Sequence, residues 1–363
     1  MRKSGPVGIA FIGCGNIAGP YAESVLTHPD KLRLVGVYDL IAERARSFAL
    51  KCKCMAFGSM EELLTSRDVE LVVNLTIHTA HAEVTRHALE AGKHVHSEKP
   101  LAIRRNDGNA LVELATKRDI LLGCSPFVIL GEAQQTLWKA VRDGMAGQVL
   151  CVSADMMHDR IESWHPNPAP FYAPGAGPML DVGCYPLNVL TSIIGPVRAV
   201  RGSAKITIPN RIVGSGPDKG KTFAVTTPDH VNGLLEFENG AFGRLSTSFV
   251  VGQSIHKGIE ITGMLGTLRI DSPVDFDARV SFCPVGENEW KDLPPVAQPF
   301  RGVEWSRGVL DIADAIRNDR RPRCAGQQAN HILDICLGIL EASERGRDVS
   351  MTTTFELPVP IYQ

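Results

Sequence analysis

Blocks of apolar residues alternate with amphipathic stretches through the first third of the chain. Val7–Ile12 is an unbroken apolar run of strand length, and Tyr21, Val25 and Leu26 then recur at helical spacing. The same alternation repeats. A strand is predicted over Leu32–Tyr38 and a helix from Ile41 onward. A short helix at 61–64 has Ser59 before it as a capping residue. A strand at 70–75 leads to a helix marked by Val84, His87 and Ala88, with Gly92 as its stop. The strand His94–Ser97, a helix marked by Ala110, Leu111, Leu114 and Ala115, and a strand at 120–123 complete the series. Strands alternating with helices at this spacing predict a parallel, doubly wound α/β sheet. Right-handed crossovers then carry the ends of the strands to one edge, where such sheets bind ligands.

After Gly123 the pattern changes. A helix containing Leu137, Trp138 and Val141 ends at Gly144, and a long strand runs over Val149–Met157. The stretch 158–178 is a loop rich in proline and aromatics, and a helix begins at Leu180 and Asp181. From Val197 strand follows strand. The runs 234–238 and 241–246 flank Asn239-Gly240, a strong hairpin signal, and 259–261 and 267–270 flank the turn 263–266. Residues 209–228 read as a mobile glycine- and proline-bearing loop. Two helices (309–318 and 327–345) and a short strand (349–353) close the chain. This half predicts an α+β domain on an open, largely antiparallel sheet. A length of 363 residues calls for two cores, and the change of pattern divides the chain into domains 1–124 and 125–363.

Charge and composition mainly exclude. A formal net charge of -2 lacks the basic excess of a nucleic-acid or membrane-surface protein, and the arginine clusters are interrupted by acids. No apolar stretch reaches the ~18 residues of a membrane span. The start Met1-Arg2-Lys3 leads through a short apolar run straight into a glycine turn, unlike a secretory signal. Nine cysteines are scattered without paired spacing, and Cys52-Lys53-Cys54 is not a C-x-x-C motif. Reduced thiols in a cytoplasm and no metal site are the expectation.

The candidate chemistry lies at the strand ends. Gly13-Cys14-Gly15-Asn16-Ile17-Ala18, between a strand and a helix, is the G-x-G-x-x-G/A dinucleotide fingerprint. Gly13 allows the tight turn, Gly15 lets backbone approach a pyrophosphate, and the helix start offers free N–H groups to it. Asp39 ends the second strand, placed to accept from a ribose hydroxyl and repel a 2′-phosphate, which favours NAD; it can equally cap the helix after it. Arg44, one turn into that helix, leaves NADP open. Thr76, His78 and His81 follow the next strand, and Glu98-Lys99-Pro100 follows the one after, where proline stops the sheet ladder. A cis Lys99–Pro100 bond is a further expectation. In the long loop, Arg160, Trp164 and His165 are candidates for a substrate wall.

With the glycine turn, Glu98-Lys99-Pro100 and the segment Gly177-Pro178-Met179-Leu180-Asp181-Val182-Gly183-Cys184-Tyr185 in view, the chain resembles the Gfo/Idh/MocA oxidoreductases over nearly its whole length. The resemblance implies an N-terminal Rossmann domain and an open-sheet C-terminal domain, with substrate between them and nicotinamide at the floor. It further implies a sugar, polyol or related carbonyl substrate, and a homodimer or homotetramer through the C-terminal sheet. The family's lysine falls on Lys99 and its aspartate on Asp181. Four residues on, Tyr185 stands where the family usually has histidine, as in its tyrosine-using branch. In the family's T-P-N-x-x-H loop, Thr76 and His81 match, while Ile77 and His78 depart from it.

By this likeness Tyr185 is the general acid/base, Lys99 tunes it and binds the substrate oxygen, and Asp181 anchors a substrate hydroxyl. Asp181 and Tyr185, four apart on one predicted helix, would share a face. An unperturbed tyrosine, with a pKa of about 10, needs a nearby cation to act as a base at neutral pH. Lys99 as the proton carrier is the rival assignment. A regulatory protein that binds a dinucleotide without catalysis, and an NAD-using glycosidase, are the other uses of this fold.

Overall fold

A computed structural model describes residues 5–362, so the charged start at 1–3 lies outside them. The chain forms two compact units. The first opens with β1 (Val7–Ile12), α1 (Ala18–Leu26), β2 (Leu32–Tyr38), α2 (Ala42–Cys52), β3 (Met55–Ala56) and α3 (Met60–Thr65). It continues with β4 (Leu71–Asn74), α4 (His81–Glu90), β5 (His94–Ser97), α5 (Arg105–Lys117) and β6 (Leu122–Cys124). The six strands are parallel, in the order β3-β2-β1-β4-β5-β6. Ile9, Phe11, Val72 and Val95 are fully buried, because helices cover both faces of the sheet. This is why the strands read as unbroken apolar runs. The strand order reverses between β1 and β4, which opens a crevice at their carboxyl ends.

The second unit carries α6 (Glu132–Arg142), β7 (Val149–Met157), α7 (Gly177–Asp181), α8 (Cys184–Ile194), β8 (Val197–Lys205), β9 (Asn210–Ile212) and β10 (Thr222–Ala224). Then come β11 (His230–Phe237), β12 (Phe242–Ser248), β13 (Gly258–Gly263), β14 (Gly266–Ile270), β15 (Val280–Pro284) and β16 (Lys291–Asp292). With β17 (Val349–Ser350), nine strands form one sheet, β16-β15-β14-β13-β7-β12-β11-β8-β17. The expected hairpins are β11–β12 about Asn239-Gly240 and β13–β14. Every pairing is antiparallel except β7 with β12.

The structure differs from the sequence expectation in three places. First, α9 (Arg307–Asn318) and its flanks, Glu304–Asn330, pack with the first unit, whose initial stretch ends at Phe127. A Cβ on Gly308 would lie 2.5 Å from the His96 ring, and Arg317 pairs with Glu70 at 2.8 Å. Helical periodicity shows that 307–318 has a buried face but not which sheet covers it.

Second, the stretch 209–228 is not one open loop, because β9 and β10 pair within it. Third, the helix predicted from Leu180 is two helices. Val182 and Gly183 both donate to Pro178 O (3.0 and 2.9 Å), which closes α7. Pro186 has no N–H to give Val182, so the helical ladder cannot run through and α8 starts afresh. Asp181 and Tyr185 therefore stand on different helices, and four-residue spacing does not put them on one face. The chain's last helix is α10 (Gly326–Arg345).

Candidate functional site

In the first unit, the expected dinucleotide residues follow the carboxyl ends of β1, β2, β4 and β5. Gly13 has φ +98°, and a Cβ there would lie 2.6 Å from Leu75 O, so only glycine fits where this turn crosses the end of β4. Around Gly15 the space is open, and Gly15 and Asn16 are exposed. Ile17 precedes α1, whose start no side chain caps. Ala18 is fully buried, the small residue the fingerprint places between helix and strand.

Asp39 does two jobs at once. One carboxylate oxygen accepts from Cys14 N–H and the other from Ile41 N–H, both at 2.8 Å. It thereby ties the phosphate turn to the entry of α2, with Arg44 at 3.8 Å. Burial, followed by the charge of Asp39, pushes the Cys14 thiol up to about 12, so it stays protonated and unreactive.

Beyond β4, Asn74 holds the loop, accepting from Thr76 N–H and hydroxyl and donating to His81 O. His81 is buried. Its Nδ1 lies 2.7 Å from Pro100 O and its Nε2 3.0 Å from Thr76 O, so the ring joins this loop to the turn after β5. Burial lowers its pKa, and a neutral ring donates to one carbonyl at a time. His81 does not cap α4, which it opens, and His78 and Lys99 are half-buried. The Lys99–Pro100 bond is cis, as is Ser125–Pro126.

Glu98 turns inward. Its Oε1 accepts from Tyr21 OH at 2.5 Å and Ser125 Oγ at 3.0 Å, and its Oε2 from Lys99 N–H at 3.0 Å. Fully buried His96 lies 3.3 Å from Ser125 Oγ, and burial takes its pKa down to about 4. From the sequence Tyr21 reads only as an apolar helix position and His96 as part of a strand, since nothing local marks Tyr21, His96 and Ser125, up to 104 positions apart, as polar neighbours.

In the second unit, Asp181 ends α7 and Tyr185 lies in the first turn of α8, both half-buried. Tyr185 packs against the apolar cluster of Ile161, Tyr172, Val182, Val225 and Phe249. That cluster joins the helix to the loop 158–178. Arg160 and Trp164 are exposed, and the His165 ring lies between Trp164 and Phe171, 5.4 and 4.9 Å from their centroids.

The first-unit residues fit a dinucleotide: an obligate glycine turn, open backbone at Gly15, an uncapped helix start and an acid ending β2. No group of acidic, histidine or cysteine residues among the described residues could hold a metal ion. Nor is any described helix long and apolar enough to cross a membrane.

Comparison with known proteins agrees with this arrangement. The model of an oxidoreductase family with an NAD-binding Rossmann fold matches residues 7–124, and that of the GFO/IDH/MocA C-terminal domain matches 134–269. The chain is 32% identical over 201 residues to the dTDP-3,4-didehydro-2,6-dideoxy-alpha-D-glucose 3-reductase of Streptomyces violaceoruber, a match spanning 54% of this chain and 56% of that one. It is 25% identical over 338 residues to the 1,5-anhydro-D-fructose reductase of Ensifer adhaerens, covering 88% and 91%. It shares the fold of an NAD binding oxidoreductase from Klebsiella pneumoniae, with a TM-score of 0.83, 20% identity and coverage of 96% and 99%. The chain belongs to the GFO/IDH/MocA oxidoreductases, an NAD-binding Rossmann domain joined to that family's C-terminal domain.

Proposed function

We propose that this protein is an NAD-dependent dehydrogenase or reductase that moves hydride between nicotinamide and a carbinol or carbonyl carbon of a sugar or polyol. The observation that carries the reading is the gathering of the Gly13 turn, Asp39 and Lys99 at the carboxyl ends of neighbouring parallel strands. The sugar class is supported by the relatives above, which are named as sugar reductases.

Bound NAD supplies the hydride chemistry, and the chain supplies position and one proton. The backbone from Gly13 to Ile17, with Cys14 and Asn16 between, holds the pyrophosphate, and Asp39 takes an adenosine ribose hydroxyl. Thr76 and His78 border the cofactor, while His81 and Glu98 brace the turns that carry Thr76 and Lys99. In this reading Tyr185 is the general acid/base, Lys99 binds the substrate oxygen and favours the phenolate, and Asp181 anchors a second hydroxyl. Arg160, Trp164 and His165 form part of the substrate wall.

Two expectations accompany this reading. A second copy would pair on the sheet face bearing exposed Leu234 and Phe242. Nine cysteines without paired spacing suit a reducing compartment such as the cytoplasm.

NADH absorbance over a panel of D-glucose, D-xylose, myo-inositol and 1,5-anhydro-D-glucitol tests the activity. On the best substrate, Tyr185→Phe should lower kcat by ~10²–10⁴ and leave NAD binding intact. Lys99→Ala should lower turnover and displace its pH profile. Unchanged turnover in Tyr185→Phe removes that residue from the chemistry.

A further inference from the structure

Glu162 immediately precedes Ser163, Trp164 and His165 in the wall loop, and its carboxylate does not face solvent. It is buried, and its Oε1 accepts from Arg211 Nη1 at 2.7 Å, while Tyr172 OH donates to its Oε2. Arg211 lies in β9 and is only 3% exposed. Its Nη2 donates to Asp229 at 2.7 Å, and its guanidinium lies 4.6 Å from the centre of the Tyr172 ring. Asp229 in turn accepts from Thr207 N–H at 2.7 Å and Thr207 hydroxyl at 2.9 Å. One buried cation thus joins three segments far apart in sequence.

The strand that carries Arg211 also leads into a second support. Past β9, Gly214 N–H donates to Glu162 O at 2.7 Å, and Ser215 Oγ donates to Trp164 O at 2.6 Å. The two loops touch closely here. A Cβ on Gly214 would lie 2.8 Å from Ser163 O, and one on Gly216 would lie 2.5 Å from the Pro166 ring. Trp164 is nevertheless 54% exposed, with His158 and His165 beside its ring. A large aromatic surface thus stays open to solvent, while the backbone beneath it accepts from Gly214 N–H and Ser215 Oγ.

We propose that Arg211 is a positioning residue for sugar recognition: it fixes Glu162 from the interior and, with Ser215, holds Trp164 as a stacking surface for the apolar face of a pyranose or cyclic polyol. This rests on the sugar reading above. Aromatic faces contact the C–H groups of a sugar ring, and such a contact gains only if the ring is held in place before binding.

The test compares Trp164→Ala, Arg211→Lys, Ser215→Ala and each double variant with Trp164→Ala on the same sugar panel. Trp164→Ala should raise the sugar KM about 3- to 10-fold, the range of an aromatic contact, with kcat and NAD affinity unchanged. Arg211→Lys and Ser215→Ala should raise KM in the wild-type background and add nothing once Trp164 is gone. Without any sugar, iodide should quench Trp164, read as intact protein minus Trp164→Phe, more strongly in both variants. Should Arg211→Lys not fold, Glu162→Gln takes its place, since it weakens the pair through which Arg211 reaches the loop and leaves Arg211 bound to Asp229.

Additive KM effects with unchanged quenching overturn the role of Arg211 while the sugar reading stands. An unchanged KM in Trp164→Ala overturns the stacking surface. A wild-type protein inert on the whole panel overturns the sugar reading, and the proposal falls with it.

Discussion

In the first unit the candidate residues stand directly after parallel strands: Gly13 after β1, Asp39 after β2, Thr76 after β4 and Lys99 after β5. In the second unit they stand on a break between two short helices and on a loop of more than fifteen residues. The first set is held by the hydrogen-bond ladder, with neighbouring turns touching through Cys14–Asp39 and His81–Pro100. Beneath the loop of the second set lies a buried cation, Arg211, with two carboxylates and a tyrosine around it. Strand ends are placed by topology and tolerate much substitution of the side chains around them. A loop site depends on a few polar contacts, each of which can be lost in one mutation.

The largest expected effect breaks that second support. Arg211→Met leaves Glu162 and Asp229 buried without their cation, which costs about 3–5 kcal/mol. Hydrogen exchange should show protection lost around 161–172 and 205–229 while β1, β4 and β5 keep theirs. Equal loss in both units would erase the contrast between them.

The corresponding change in the first unit is Gly13→Ala. The unfavourable φ and the clash with Leu75 O together cost about 3–4 kcal/mol. NAD affinity by calorimetry should fall with it, and wild-type affinity in this variant would remove the turn from cofactor binding.

Acid acts on both units through buried histidines, among them His96 in the first and His331 in the second. Burial takes His96 and His331 from 6.5 down to about 4. Below about pH 6.5 the unfolded chain takes up protons that the folded chain refuses. The stability is therefore complete above that pH and is lost as the pH falls toward 4, on the order of 3 kcal/mol for each histidine. His331 has the more specific reason. Its Nε2 accepts from Val197 N–H at 3.0 Å, a bond that protonation destroys. Urea unfolding at stepped pH should show the loss, and His331→Gln should remove its share in the second unit only. A flat profile over this range contradicts both assignments.

The smallest effect belongs to Asp39→Ala, which deprives Cys14 and Ile41 N–H of their acceptor at about 1–2 kcal/mol. Its sharper readout is cofactor choice. The wild type should bind NAD more tightly than NADP in a calorimetric titration, and the variant should lose that preference. Tighter NADP binding by the wild type would sink the role given to Asp39.

Much of the first unit was legible because its signals are local. Val7–Ile12 followed by Gly13-Cys14-Gly15 and an amphipathic run specifies strand, turn and helix within twenty residues. The Asn239-Gly240 hairpin was legible for the same reason, and Gly240 has φ +89°. Pro186 carried the signal for the break between Asp181 and Tyr185, but the four-residue spacing was read in its place. Arg211 left no such signal, since an arginine between Asn210 and Ile212 in a glycine-bearing stretch reads as a solvated loop residue.

The sequence by itself therefore determined the strand–helix alternation, the glycine turn, the acid after β2 and the Glu98-Lys99-Pro100 end, because each follows from the period and turn chemistry of neighbouring residues. Only the tertiary structure decided that α9 closes the first unit, that Glu98 turns in toward Tyr21 and Ser125, and that Arg211 supports the wall loop. Those contacts join residues 27 to 77 positions apart, or return a distant helix to the first sheet. Burying a polar group is favourable only when its partner arrives with it, and the partner is set by the fold.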